Sequence, residues 1–310
     1  MSFERVGQTQ SSVGESPLWA PAEQALLWVD IEGRRIHRHD PLSGLDQSWE
    51  VPERPACLAL HPAGGVVCAL ESRVVHLQLQ GGGHLEAAPI ATVDHPVAGM
   101  RFNDGRCDRR GAFWVGSMVM NMGLVSPVGQ LFRLTGDRID PALAVVAVPP
   151  LVVPNGLAFS PDNRTMYLSD SHPSVQRIWC FDHDPEDGRL GSARLFVDMK
   201  LHPGRPDGAA VDEDGCYWIC ANDAGLLHRF TPAGRLDQSI TVPVSKPSMC
   251  AFGGAQLDEL YVTSIRPASL ATSFPETALA AEAALAGATF VCRPGVRGLP
   301  EAPFRTAAAA

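Results

Sequence analysis

A repeated pattern with a spacing of about 40 to 50 residues is the feature that most limits how this chain can fold. Each copy begins with a polar or small residue, continues as a short apolar segment, turns through residues such as Pro, Gly and Asp, and returns as a second apolar segment. In the clearest copy, NGLAFSPDNRTMYLSDS, the turn is Ser-Pro-Asp-Asn, and the segments on either side are typical of β-strands. The first residues of the six copies, called repeat starts below, are Glu15, Ala56, Asn103, Asn155, Asp207 and Ser248.

These repeats predict an all-β fold: a six-bladed β-propeller, with blades of about four antiparallel strands around a central channel. A third strand-like segment follows in most copies, and one small sheet buries both of its faces only by stacking against neighbours. No Pro/Gly/Ser-rich linker divides the chain, so residues 1–310 are expected to form a single domain. The one helix-like segment, from Pro275 to Ala288, is expected as an insertion in the last blade.

Charge and composition exclude several classes of partner. The chain has a net charge of −9 and no run of Lys or Arg, so neither nucleic acid nor a membrane is an expected partner. It contains no apolar stretch of transmembrane length, and the first ten residues, MSFERVGQTQ, lack the apolar segment of a signal peptide. The eight cysteines lie mostly in strand-like segments without a CxxC motif, which predicts reduced thiols and a cytoplasmic location.

The repeat starts also predict a functional site. Equivalent positions of a propeller face the same channel, so polar side chains from several blades should converge there. Glu15 and Asp207 would repel each other unless a cation lies between them, and Asn155 adds a neutral carbonyl oxygen. Such a set suits one hard divalent ion completed by water. All-oxygen ligation is compatible with Ca²⁺, Zn²⁺, Mg²⁺, Mn²⁺ or Fe²⁺, so the residues leave the metal open.

Several motifs together resemble the SMP-30/regucalcin and gluconolactonase family over nearly the whole chain. They are GESPLW, RFNDGRCD, PNGLAFSPD, RPDGAAVD, and CAFGG with LYVTS, between about Gly14 and Pro300. Members of this family are six-bladed propellers that hydrolyse sugar lactones. The resemblance therefore implies a metal-dependent, gluconolactonase-like hydrolase with a small sugar lactone as its substrate.

The resemblance also assigns roles to particular residues. In the family, the Glu of GESP, the Asn of NGL and the Asp of PDG hold the divalent metal, which here implies Glu15, Asn155 and Asp207. The Arg and Asn of RFND bind the substrate, which implies Arg101 and Asn103. The Asp of PDG is also credited as the general base, so Asp207 is the expected catalytic residue.

The chain departs from the family pattern at Asn121. Regucalcin-like members carry an acidic residue shortly after a GTM motif, where it contacts sugar hydroxyls, and the segment GSMVMNMG places Asn121 at that position. Asn121 is therefore a further expected substrate contact, with an altered preference among lactones. Met118, Met120 and Met122 alternate around it, a pattern more typical of a core than of a pocket wall.

Lactone hydrolysis needs a polarised carbonyl and an activated water, which a divalent ion and an anionic Asp207 would supply. Two alternatives stay open: a metal- or calcium-binding propeller with a non-catalytic regulatory role, and a broader esterase or phosphotriesterase. Arg101 beside the metal cluster favours an enzyme, because a binding platform would not need it. A monomer is the expectation for a closed propeller.

Overall fold

The computed structural model describes residues 2–81, 83–85, 89–136, 138–141, 150–267 and 276–306. Within these ranges, six antiparallel sheets form the blades of a ring, which confirms the predicted six-bladed β-propeller. The inner strands of successive blades contact one another in a closed cycle around the axis.

The first half of the chain forms three blades. It begins with β1 (Glu4–Val6), which joins the last blade described below. The first blade holds β2 (Gly14–Ala20), β3 (Ala25–Asp30), β4 (Arg35–Asp40) and β5 (Leu45–Glu50). The second holds β6 (Cys57–Leu60), β7 (Val66–Ala69), β8 (Arg73–Leu77) and β10 (Pro89–Thr92), whereas β9 (Gly83–His84) pairs in parallel with β5. The third holds β11 (Met100–Cys107), β12 (Phe113–Val119), β13 (Leu131–Thr135) and β14 (Arg138–Pro141).

The second half forms the other three blades. The fourth holds β15 (Pro154–Phe159), β16 (Thr165–Asp170), β17 (Arg177–Asp182) and β18 (Arg194–Asp198). The fifth holds β19 (Arg205–Val211), β20 (Tyr217–Asn222), β21 (Leu226–Phe230) and β22 (Leu236–Thr241). The sixth holds β23 (Pro247–Gly253), β24 (Glu259–Ser264) and β25 (Thr289–Cys292). Because β1 pairs with the outer edge of β25, the amino-terminal segment completes the last blade and closes the ring.

Helical structure is sparse. The helix α1 (Glu276–Leu285) lies between β24 and β25, as the alanine-rich segment predicts, and Pro275 at the start of that segment lies outside the described residues. Two 3₁₀ helices follow β12 and β18, at Met122–Leu124 and Met199–Leu201. No helix of the described ranges is long and apolar enough to cross a membrane.

The core lies between the blades, where apolar faces of neighbouring sheets pack together. Trp114 and Trp218 occupy equivalent positions on second strands and are fully buried. Their indole nitrogens donate to Asp108 at 3.2 Å and to Asp212 at 2.8 Å, so both of these buried N–H groups have a partner. All eight cysteines are free, and all except Cys180 are buried.

A β-bulge interrupts the inner strand of five blades at the same place. In each, two residues of the inner strand face a single residue of the second strand. The second blade differs, because β6 and β7 pair without a shift. The bulged residue pairs are 16–17, 103–104, 156–157, 207–208 and 248–249.

These bulges place the repeat starts at two neighbouring positions instead of one. Glu15 and Asn155 are the last paired residues before their bulges, whereas Asn103, Asp207 and Ser248 are the first residues inside theirs. The alternation of side chains breaks at a bulge, so residues from both positions can face the channel. The predicted single register is therefore wrong by one residue for part of the set.

Candidate active site

A cavity of about 680 Å³ opens at the end of the channel where the inner strands begin. Its wall includes Glu15, Asn103, Asn155 and Asp207, so four of the six repeat starts meet in one place. Arg101, expected to contact the substrate, lines the same cavity. The strands that carry these residues belong to four different blades, and closure of the ring is what brings them together.

The other two repeat starts do not reach the cavity. Ser248 is fully buried, and its hydroxyl donates to the carbonyl oxygen of Gly14 and lies 2.9 Å from the hydroxyl of Thr263. Ala56 is buried in the second blade, whose unbulged inner strand contributes none of the described residues to the cavity wall.

Glu15 and Asp207 are two carboxyl groups held in a poorly solvated place. Burial raises the pKa of Glu15 well above its usual range, and the nearby carboxylates of Asp207 and Asp104 raise it further. Burial also raises the pKa of Asp207 to about 7, although Arg205 and a hydrogen bond from Asn222 act in the opposite direction. Both carboxyl groups therefore resist ionisation in the metal-free cavity, mainly because burial removes water from them.

Asn155 is oriented by its neighbours. Its amide nitrogen donates to the hydroxyl of Ser171 at 3.0 Å, so its carbonyl oxygen is the atom left for a ligand in the cavity. Gly156 follows with a φ of +61°, and a Cβ there would lie 2.5 Å from the Tyr217 hydroxyl oxygen and 3.0 Å from the carbonyl oxygen of Asp207. Only glycine allows the strands that carry Asn155 and Asp207 to approach this closely.

Three residues that position the site are not among the site residues predicted from the sequence. They are the last residues of the second strands in the first, fourth and fifth blades: Asp30, Asp170 and Asn222. The first two accept hydrogen bonds from backbone N–H groups of residues 12–13 and 152–153, just before the strands that carry Glu15 and Asn155. Asn222 instead donates to Oδ2 of Asp207 at 2.8 Å. Their shared place in the repeat was a signal that could have identified them.

Arg101 and Asn103 form a connected pair. Nη1 of Arg101 donates to the Phe102 carbonyl oxygen at 2.7 Å and to Oδ1 of Asn103 at 2.8 Å. The amide nitrogen of Asn103 donates to the Pro154 carbonyl oxygen at 3.0 Å. Burial lowers the pKa of Arg101, but its guanidinium remains a cation with further N–H groups available. Asn103 therefore holds Arg101 in place and also ties the third blade to the fourth.

Asn121 is exposed and is absent from the cavity wall. Its side chain accepts a hydrogen bond from Gly123 N at 3.2 Å and caps the 3₁₀ helix. Its methionine neighbours do line the cavity: Met118 is buried, whereas Met120 and Met122 are 39% and 44% exposed. The core interpretation is therefore wrong for these two methionines, because the strand ends at Val119 and the chain turns over the cavity.

The donor set fits a hard divalent ion. Glu15 and Asp207 supply anionic oxygens, and Asn155 supplies a neutral one. A bound dication would favour the ionised forms of the two carboxyl groups, which burial disfavours in its absence. Within the described residues, no group of three or more His, Cys, Asp and Glu side chains could hold a metal, so a site here depends on the amide oxygen of Asn155.

Known proteins resemble this chain over nearly its whole length. It is 37% identical to a 6-deoxy-6-sulfogluconolactonase from Pseudomonas putida, with 95% of each chain covered. It is 32% identical to an L-arabinolactonase from Azospirillum brasilense, covering 96% of this chain and 94% of that one. A crystal structure described as a calcium-binding protein, regucalcin, from Agrobacterium tumefaciens has the same fold, with a TM-score of 0.86 at 24% identity over 98% of this chain and 97% of that one.

The family match spans most of the propeller. The family described as SMP-30/Gluconolactonase/LRE-like region matches residues 13–266, from the strand that carries Glu15 to the end of β24 and two residues beyond. The proposed ligands and Arg101, which converge on the cavity, lie inside this range. By this match and by the identities above, the chain belongs to the SMP-30/gluconolactonase/LRE-like family.

Proposed function

We propose that this protein binds one divalent metal ion at Glu15, Asn155 and Asp207 and hydrolyses a sugar lactone to the sugar acid. One observation carries the proposal: these three oxygen donors share a cavity of about 680 Å³ with the guanidinium of Arg101. The cavity is large enough for a small sugar ring, and the two relatives above with lactonase names support the substrate class.

The metal would supply Lewis-acid polarisation of the lactone carbonyl. The chain's own residues hold the substrate and move the proton. Arg101 presents planar N–H donors to the hydroxyl or ring oxygens of the sugar, and Asn103 keeps that guanidinium in position. Burial of the guanidinium strengthens its hydrogen bonds to a bound sugar, because the local dielectric constant is low.

Asp207 is the proposed general base. It accepts the proton of the attacking water, and burial raises its pKa to about 7 in the metal-free protein. The N–H group of Asn222 holds Oδ2 of Asp207, which limits the rotation of the carboxylate. A contact between the substrate and Asn121 stays a prediction. In the structure without substrate, the side chain of Asn121 caps a 3₁₀ helix.

We also propose that the protein is a monomer in the cytoplasm. The eight free cysteines suit a reducing compartment. The physiological metal and the particular sugar are left to experiment.

Titration of acid release at constant pH tests the proposal. Aldonolactones should be hydrolysed by the metal-loaded protein, and a chelator should abolish the activity. Asp207→Asn at saturating metal should stay at least about a hundredfold slower, because added metal cannot replace a general base. Recovery to the wild-type rate would reduce Asp207 to a ligand. Faster turnover of aryl esters than of lactones would favour the esterase alternative, and no turnover of either would favour a binding role.

A further inference from the structure

One wall of the cavity is basic, although the chain as a whole has a net charge of −9. Arg205, Lys246 and Arg266 all line this wall, which is hereafter called the basic wall. None of the three is assigned a role in the hydrolysis proposed above. They come from two adjacent blades, because Arg205 begins β19, Lys246 immediately precedes β23, and Arg266 lies two residues after β24.

Arg205 is held rigidly. Its Nε donates to Oδ2 of Asp223 at 2.5 Å, its Nη1 to the Ser171 carbonyl oxygen at 3.0 Å, and its Nη2 faces Oδ1 of Asn222 at 3.4 Å. Since Asn222 also donates to Asp207, one hydrogen-bonded chain of side chains runs from the proposed base to the basic wall. Asn222 is therefore the single side chain that separates Asp207, the proposed base, from Arg205 of the basic wall.

Lys246 and Arg266 extend the basic wall outward from Arg205. The ammonium group of Lys246 contacts the other carboxylate oxygen of Asp223, so that single carboxylate is shared by two cations. The backbone N–H of Ile265 donates to the Lys246 carbonyl oxygen at 3.0 Å, which places Arg266 beside Lys246. The only side-chain partner of Arg266 in the described part of the chain is the neutral amide oxygen of Gln10, at 2.6 Å.

The charges on this wall do not balance. Among the residues that the structure describes, Arg205, Lys246 and Arg266 have one carboxylate partner between them, Asp223, which leaves two positive charges on this wall. The acidic residues across the cavity do not offset them: a divalent ion would balance Glu15 and Asp207, and Glu32 is paired with Arg54 at 3.0 Å. Cations that face a ligand cavity and lack a protein counter-charge are the usual feature of a site for an anionic group.

We propose that the lactone substrate carries an anionic substituent, and that Lys246 and Arg266 bind it while Arg205 holds the shared Asp223. This inference rests on the proposed lactone hydrolysis and names the class of lactone. The group is a carboxylate, sulfonate or phosphate, attached at the end of the sugar away from the reacting carbonyl. The exposed Met120 and Met122 offer no strong hydrogen bond to the sugar hydroxyls, so the charged group adds to the orientation that Arg101 provides.

A matched set of lactones tests this directly. One six-carbon aldonolactone ends in a neutral hydroxymethyl group, and three analogues end in a carboxylate, a sulfonate or a phosphate. We expect kcat/KM to be at least about tenfold higher for one or more of the anionic lactones, since each would gain charge-assisted hydrogen bonds. The ranking of kcat/KM among the three anionic lactones shows whether the site prefers the planar carboxylate or the tetrahedral sulfonate and phosphate.

Variants then assign the effect to the basic wall. In Lys246→Gln, Arg266→Gln and the double variant, the ratio of kcat/KM between anionic and neutral lactones should fall by about tenfold or more. Lys200→Gln is the matched control: Lys200 is exposed on a 3₁₀ helix outside the cavity wall, and its substitution should leave the ratio unchanged. Higher ionic strength should also lower the ratio for the wild-type protein.

Two results would overturn the proposal while leaving lactone hydrolysis intact: equal kcat/KM for neutral and anionic lactones, or a ratio that persists in the double variant. If no lactone is hydrolysed with any metal, the hydrolysis proposal fails. Calorimetry with the corresponding sugar acids then tests whether the basic wall binds an anionic group. Tighter binding of the acids with the added charge, weakened by the double substitution, would support it. Equal affinities for both kinds of acid would refute it.

Discussion

Replacing Gly156 by alanine should destabilise the fold and weaken metal binding at the same time. Gly156 has a φ of +61°, in the left-handed region where an L side chain costs about 1–2 kcal/mol. The new Cβ would also lie 2.5 Å from the Tyr217 hydroxyl oxygen, 2.7 Å from the Ser169 hydroxyl oxygen and 3.0 Å from the Asp207 carbonyl oxygen. Overpacking of this kind costs about 1–3 kcal/mol.

The two contributions add to a loss of about 2–5 kcal/mol in the free energy of unfolding. Relief of the contacts requires the backbone of the fourth blade to move away from that of the fifth. Asn155 precedes Gly156, and the Asp207 carbonyl oxygen is one of the atoms contacted, so this movement separates two proposed metal ligands. We therefore expect metal affinity to fall by about 10–100-fold, the usual effect of disturbing the support of a metal site.

Urea unfolding followed by tryptophan fluorescence, in the presence of a chelator, measures the stability without any contribution from bound metal. Gly44→Ala is the matched control, because Gly44 has a φ of +71° and no atom lies within 4 Å of the position that a Cβ would take. It should show the cost of the left-handed backbone alone. Equal destabilisation by the two substitutions, or full metal affinity in Gly156→Ala, would refute the reasoning that close approach of the blades builds the site.

Further predictions concern the charges of the site. Glu15→Gln keeps an oxygen donor but removes one negative charge, so calorimetry should show at least about tenfold weaker binding of a divalent ion, and unchanged affinity would remove Glu15 from the ligand set. Arg101→Lys keeps the charge but loses the planar fork, so kcat/KM for lactones should fall while metal affinity is retained, and wild-type turnover would reassign Arg101 to a structural role. The metal-free protein should lose stability as the pH rises from about 4 to 7, because the pKa of Asp207 is raised to about 7 by folding, and the folded state therefore binds more protons than the unfolded state in that range. Urea unfolding of the chelated protein across this range should show the decline, Asp207→Asn should reduce it, and a flat wild-type profile would contradict it.

The sequence by itself determined the number of blades and most of the candidate ligand set. Strand pairs joined by tight turns depend on neighbours in the chain, so their repetition is visible in segments such as NGLAFSPDNRTMYLSDS. Oxygen-bearing residues at the same point of several repeats also indicated that Glu15, Asn155 and Asp207 would meet, and they do line one cavity.

Only the tertiary structure decided which of the repeated positions face that cavity. Glu15 and Asp207 take different positions of the repeat because of β-bulges, and a bulge is visible only in the hydrogen-bonded pairing of two strands. The neighbouring blade decides whether a side chain faces the channel. The hydroxyl of Ser248, for example, donates to the carbonyl oxygen of Gly14, which is 234 residues away in sequence. The basic wall also depends on pairing and packing: Lys246 and Arg266 are neighbours because β23 pairs with β24, and Arg205 joins them from the adjacent fifth blade.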